Sequence, residues 1–298
     1  MMTDGEWTTG WDQFMFWVEK FISDPAFTGD ERDYKLVAVE PLASAVSEVR
    51  SGGSWYEPLH LGLQNQKNNL VNWRSCQRFL DWAEQEPSAC GEGLIALWAE
   101  GNLSGSERVE AFDQFVPVDV STRPGGLCNL AAYLLGGLDL VRWPNYRITA
   151  LDLAYELARF PEVPSKRAPS VHYGHALSFF DAMMVEAKNR DFTIKDRLDA
   201  QGAMWVIAGG GAHGPYDLTA EEWSQFDAFV EVPSKLRQER ARKSASTPQK
   251  KRRPGSQVCP RCGHDDEVVL VGPAEDQWEF ECLGGSQHGD RYSWLVRG

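Results

Sequence analysis

Four residues near the C-terminal end have the types and spacing of a metal site: Cys259, Cys262, Cys282 and His288, in the pattern Cys-x2-Cys-x19-Cys-x5-His. A Cys-x-x-Cys turn offers two thiolates to one tetrahedral ion. A second turn across a short hairpin supplies the other two ligands, which is the layout of a structural zinc ribbon. The expected cofactor is therefore Zn2+. Four protein ligands fill the tetrahedron, so the ion's expected role is structural and not catalytic. His264 stands too close to Cys262 to close the site and is assigned to solvent or to a contact behind the ligands.

The strands that must carry these ligands are expected at 267–271, 277–282 and 291–296, with Gly272 to Asp276 as the hairpin loop. Trp278 with Phe280, and Tyr292 with Trp294, alternate at strand period, so each pair shares a face. Two readings stand for these aromatics. They form the core of a very small domain, or they make a stacking platform for an unpaired base, aided by Arg261, Arg291 and Arg297.

Charge is unevenly distributed. The chain of 298 residues has 30 Lys/Arg, 43 Asp/Glu and a net charge of −13. Residues 235–254 hold nine of the basic residues and only Glu239 of the acidic ones, which leaves 21 against 42 elsewhere, a net of −21. An acidic body repels a polyanion, so nucleic-acid contact is expected only through the basic segment and what adjoins it. Lys250, Lys251, Arg252 and Arg253 form its densest part and read as a solvated linker or as phosphate contacts.

Residues 1 to about 230 read as a run of helices. Trp11, Phe14, Met15, Val18, Phe21 and Ile22 mark the first at helical spacing, and Asp24-Pro25 ends it. Further helices are expected over 30–49, 69–85, 94–99, 106–115, 127–135, 149–160, 170–189 and 195–207. Ser104 and Ser106 offer caps, Asn68 or Asn69 caps the third helix, and Gly136-Gly137 offers a stop. Thr219-Ala-Glu-Glu222 has the form of a capping box for a last helix. The fold class is thus mainly α, with an all-helical domain (1–232), a basic flexible linker (233–256) and a zinc ribbon (257–298).

Other constellations have structural readings. Gly209 to Gly214 fits G-x-G-x-x-G, but Pro215 follows at once and no βαβ pattern surrounds it, so it reads as a helix-ending loop. His172 and His175 read as a capping or surface pair. Asp196, Arg197 and Asp199 read as a buried ion-pair network with Arg197 as its hub. Cys76, Cys90 and Cys128 read as reduced, buried thiols. No stretch approaches the ~20 apolar residues that span a bilayer. The acidic N-terminus lacks a signal peptide's basic start, so cytoplasmic residence is expected. Spacing reveals no catalytic signature.

Several segments together resemble a helical region of McrBC-type, modification-dependent restriction systems, in which it precedes an AAA+ motor. They are Asn68-Asn69-Leu70 with Trp73, Ala96-Leu97-Trp98, and Glu107-Arg108 with Phe112, followed by Asp196-Arg197-Leu198-Asp199-Ala200-Gln201 with Trp205. The resemblance covers about residues 10–208 and implies an accessory or target-sensing role in antiviral defence, beside a motor or nuclease subunit as partner. This chain has no nucleotide-binding loop and no nuclease motif, so motor-driven cleavage is not implied. The expectation is a non-enzymatic module that binds DNA or RNA through linker and ribbon. A protein-interaction adaptor is the alternative.

Overall fold

The computed structural model describes residues 10–65, 69–121, 124–163, 168–209 and 215–231, together with the backbone of three strands between 268 and 297. The chain divides into two compact units, Met1–Pro233 and Ser234–Gly298. The described part of the first unit is mainly helical and contains no strand. Among the described residues, no helix is long and apolar enough to cross a membrane.

Helix α1 (Gly10–Ile22) buries Phe14, Met15, Trp17, Val18 and Phe21 along one stripe. Trp17 and Phe21 pack edge-on against Phe226 at 5.1 and 5.2 Å, which brings α1 against the last helix, α11 (220–231). That last helix opens with the expected capping box: Glu222 N–H donates to Thr219 Oγ1, and the Glu222 carboxylate accepts from the Thr219 backbone and hydroxyl.

The second expected helix is two elements. A π-helical turn (Thr28–Asp33) runs directly into α2 (Tyr34–Ser51). The wider turn of a π-helix resets which side chains face inward. Here it lets Glu31 and Lys35 both point into the core. Helix α2 ends at Gly52, whose φ of 74° is open to glycine at low cost.

Helix α3 (Tyr56–Leu63) was not expected from the pattern, since it is short and holds Pro58 and Gly62. Helix α4 (Trp73–Gln85) starts at Asn72, whose side chain accepts from Arg74 N–H. The cap is therefore neither Asn68 nor Asn69. Helix α5 (Pro87–Leu97) begins earlier than its apolar residues suggested, because Pro87 fits the first helical position. Helix α6 (Gly105–Asp113) carries a complete capping box from Ser104 and Glu107.

Helix α7 (Pro124–Asp139) is the buried centre of the unit and runs straight through Gly136-Gly137. The expected stop fails because these glycines serve packing. A Cβ at Gly137 would stand 2.5 Å from Leu42 Cβ, so α2 and α7 approach closer than any side chain permits. Helices α8 (Ile148–Ala158), α9 (Pro169–Asn189) and α10 (Arg197–Ala208) complete the packing, with α9 against α6 and α10 against α8.

In the second unit, β1 (Val268–Ala274), β2 (Gln277–Cys282) and β3 (Tyr292–Arg297) form an antiparallel meander in the order β1-β2-β3. Strand β1 is longer than expected: Gly272, Pro273 and Ala274 pair with Glu279, Trp278 and Gln277. An irregularity between Leu270 and Gly272 makes room for the extra residue. Pro273 is tolerated because β1 is an edge strand.

Candidate functional site

Cys259, Cys262, His288, Lys250, Lys251, Arg252, Arg253 and Arg261 lie outside the described residues. Cys282, Tyr292 and Trp294 are placed by strand register. Cys282 is the last residue of β2 and pairs with both Val268 and Tyr292. The chain therefore enters β1, leaves β2 and enters β3 at one end of the sheet. Phe280 pairs with Leu270 and Trp294, and Trp278 with Pro273 and Val296. Directly paired residues share a face. Val268, Leu270, Trp278, Phe280, Tyr292, Trp294 and Val296 thus fall on the same face as Cys282, with Glu279, Glu281 and Arg297 on the other.

In the helical unit, the chemistry-bearing side chains gather where the π-helical turn meets α10. Asp196 caps α10, accepting from the backbone N–H groups of Leu198 and Asp199. Its carboxylate also receives both terminal nitrogens of Arg32, at 3.0 and 2.9 Å. Arg32 reaches Asp199 at 2.6 Å as well. The hub of the ion-pair network is therefore Arg32 and not Arg197, which turns away to Asp181, whose side chain is 50% exposed. Sequence adjacency favoured Arg197, but its guanidinium reaches Asp181 on α9 and the Arg142 carbonyl instead of Asp196 or Asp199. Burial alone would raise the Asp196 pKa; the Arg32 and backbone hydrogen bonds bring it below the usual range. Its hydrogen bond to Asp196 holds Arg32 firmly protonated.

One turn on, Lys35 Nζ donates to Glu31 Oε2 and to Gln201 Oε1, both at 2.8 Å. Burial lowers the Lys35 pKa and raises that of Glu31, and their mutual attraction opposes both shifts. Beside them, Tyr216 donates to Asp30 at 3.3 Å, and Arg147 lies 5.3 Å from the Trp205 ring. Every carboxylate of the Arg32 and Lys35 groups has a cation partner. This arrangement ties the π-helical turn, α2 and α10 to one another. Sequence reasoning missed Glu31, Arg32 and Lys35. The one available signal was the Glu31/Lys35 spacing of four residues, which exposed ion pairs share.

His172 and His175 are not a surface pair. His172 is 4% exposed and hydrogen-bonds Tyr146 Oη through Nδ1 at 3.0 Å, and His175 bonds the Pro161 carbonyl. Cys76, Cys90 and Cys128 are free and buried, and burial pushes each thiol pKa up. Among the described residues no group of His, Cys, Asp or Glu is arranged to hold a metal ion.

The residues that carry the family resemblance mostly hold the helices together. Trp98 donates its indole N–H to the Leu134 carbonyl. Arg108, 3% exposed, donates to the carbonyls of Leu97, Ala99, Gly101 and Leu103, closing the C-terminal end of α5 where the helix dipole favours a cation. Phe112, Leu198 and Gln201 are buried. Trp73 differs from them: it is 69% exposed, with Arg74 stacked 5.0 Å from its ring. No protein-family model, curated protein or solved structure matches the chain.

Proposed function

We propose that the protein is a nucleic-acid-binding or target-sensing accessory module, with the helical unit docking a protein partner and the C-terminal unit contacting DNA or RNA. The observation that carries this reading is charge segregation: nine Lys/Arg against one acid in residues 235–254, and a net of −21 elsewhere. Zn2+ held by Cys259, Cys262, Cys282 and His288 would contribute folding energy to a sheet too small to support itself. Strand register supports that ligand set, because β1 begins, β2 ends and β3 begins at the end of the sheet where Cys282 stands. Tyr292 and Trp294, on one face with Trp278 and Phe280, would stack on unpaired bases while Lys250, Lys251, Arg252, Arg253 and Arg261 contact phosphates. The resemblance to McrBC-type helical regions supplies the setting, an antiviral restriction system with a motor or nuclease subunit as partner.

A filter-binding titration across salt tests the reading. Affinity for single-stranded DNA or RNA should fall steeply with salt and drop when Lys250, Lys251, Arg252 and Arg253 become Ala. Binding that survives those substitutions unchanged removes the tether from the account. No measurable affinity at low salt favours the second reading, a protein-interaction adaptor, to which the acidic helical surface is suited.

A further inference from the structure

The turn after α2, the start of α3 and helices α4 and α5 enclose an open groove of about 690 Å3. Trp55 and Tyr56 line one side, Glu84 another, and Glu92 and Ile95 the third. The Trp55 and Tyr56 rings meet edge-on at 6.3 Å. Ile95 is 56% exposed, a large apolar side chain left uncovered within a concave surface. Single exposed apolar residues are ordinary, but here the exposure coincides with two aromatic rings in one groove.

The charge of the groove has one sign. Among the described residues no Lys or Arg lines it, Glu84 and Glu92 are exposed, and neither forms an ion pair. Partial burial, then the carboxylates of Glu84, Asp81 and Glu57, raise the Tyr56 hydroxyl pKa, so the negative field reaches the aromatic wall. A nucleic acid would be repelled here. A wholly apolar segment would strip water from two carboxylates without pairing them. A Lys or Arg side chain satisfies both demands, since its methylene stem packs on aromatic and aliphatic surface while its cationic head meets carboxylates or a ring face.

We propose that this groove docks a Lys- or Arg-bearing segment of a partner protein, with the stem on Trp55 and Ile95 and the cation between Glu84 and Glu92. The proposal rests on the partner-docking part of the proposed function and names the chemistry of the partner.

The test is a titration of the full chain with a Leu-Arg-Leu-Arg-Leu peptide, followed by the indole N–H resonance of Trp55, which is assigned by its loss in Trp55→Phe. A saturable shift is expected, absent with Leu-Glu-Leu-Glu-Leu and weakened about tenfold or more in the Glu84→Gln/Glu92→Gln variant. Both substituted residues are exposed, so circular dichroism and melting should be unchanged. No shift, an equal shift with the acidic peptide, or an equal affinity in the double variant overturns the proposal. The same variant should bind nucleic acid like the parent chain, which separates failure of the groove from failure of the tether reading.

Discussion

Lys35 Nζ lies 2.8 Å from Glu31 Oε2, and the two residues are sealed from water, 0% and 4% exposed. Such a pair is not strong evidence of net stability, because desolvating two charges offsets their attraction. It does fix which way the π-helical turn presents its side chains.

Breaking that pair on one side should be costly. Lys35→Met leaves Glu31 buried beside an uncharged side chain and should cost about 3–5 kcal/mol. The Glu31→Leu/Lys35→Met double variant should recover most of the loss. Urea unfolding followed by far-UV circular dichroism measures both. A single-variant cost under about 1 kcal/mol contradicts the buried placement.

The identity of the hub has its own test. Arg32 ties two carboxylates at 13% and 16% side-chain exposure, whereas Arg197 pairs with a half-exposed Asp181. Arg32→Ala should therefore cost about 3 kcal/mol or more and Arg197→Ala about 1 kcal/mol or less. The reverse order in thermal melts would return the hub to Arg197.

The helix-stopping role first assigned to Gly137 gives way to a packing role, and this too is measurable. Gly137→Ala sets a methyl 2.5 Å from Leu42 Cβ and 3.0 Å from the Leu42 carbonyl carbon, so α2 or α7 must shift. Overpacking of this kind costs about 1–3 kcal/mol. Gly29→Ala meets nothing within 4 Å and serves as the control. Equal melting temperatures for the two variants would contradict the close approach of α2 and α7.

Acid should loosen the last helix. Glu222, held by Lys20 and by the backbone and hydroxyl of Thr219, has its pKa lowered to about 2 from 4.5. A depressed carboxylate contributes stability that is present above pH 4.5 and lost as pH falls toward 2. The Lys20–Glu222 pair is partly exposed, so the contribution is about 1 kcal/mol or less. The protection of residues 220–231 against hydrogen exchange, taken relative to the intrinsic rate at each pH, should fall across that window, and Glu222→Gln should remove the effect.

How much of this was readable in the chain depended on whether the signal was local. Capping boxes at Ser104/Glu107 and Thr219/Glu222 are spelled by residues three apart, and both form. The α1 stripe is equally local. The Arg32 network joins residues 164 and 167 positions apart, and no spacing rule reaches across that distance. Gly136-Gly137 carried the right residue types for a helix stop, but tertiary packing used them otherwise. His172 was misplaced because its Tyr146 partner comes from another segment. In the second unit, period-2 alternation marked the strands, while Gly272 and Pro273 read as loop residues although the edge position of β1 lets them continue the strand.

The measurement closest to the central claim is elemental analysis of the purified full chain, paired with nucleic-acid binding before and after chelation. One Zn2+ per chain is expected. Its removal should abolish binding to single-stranded DNA or RNA and leave the helical circular dichroism intact. A chain that contains no stoichiometric zinc, or that binds equally well once stripped of it, contradicts the account.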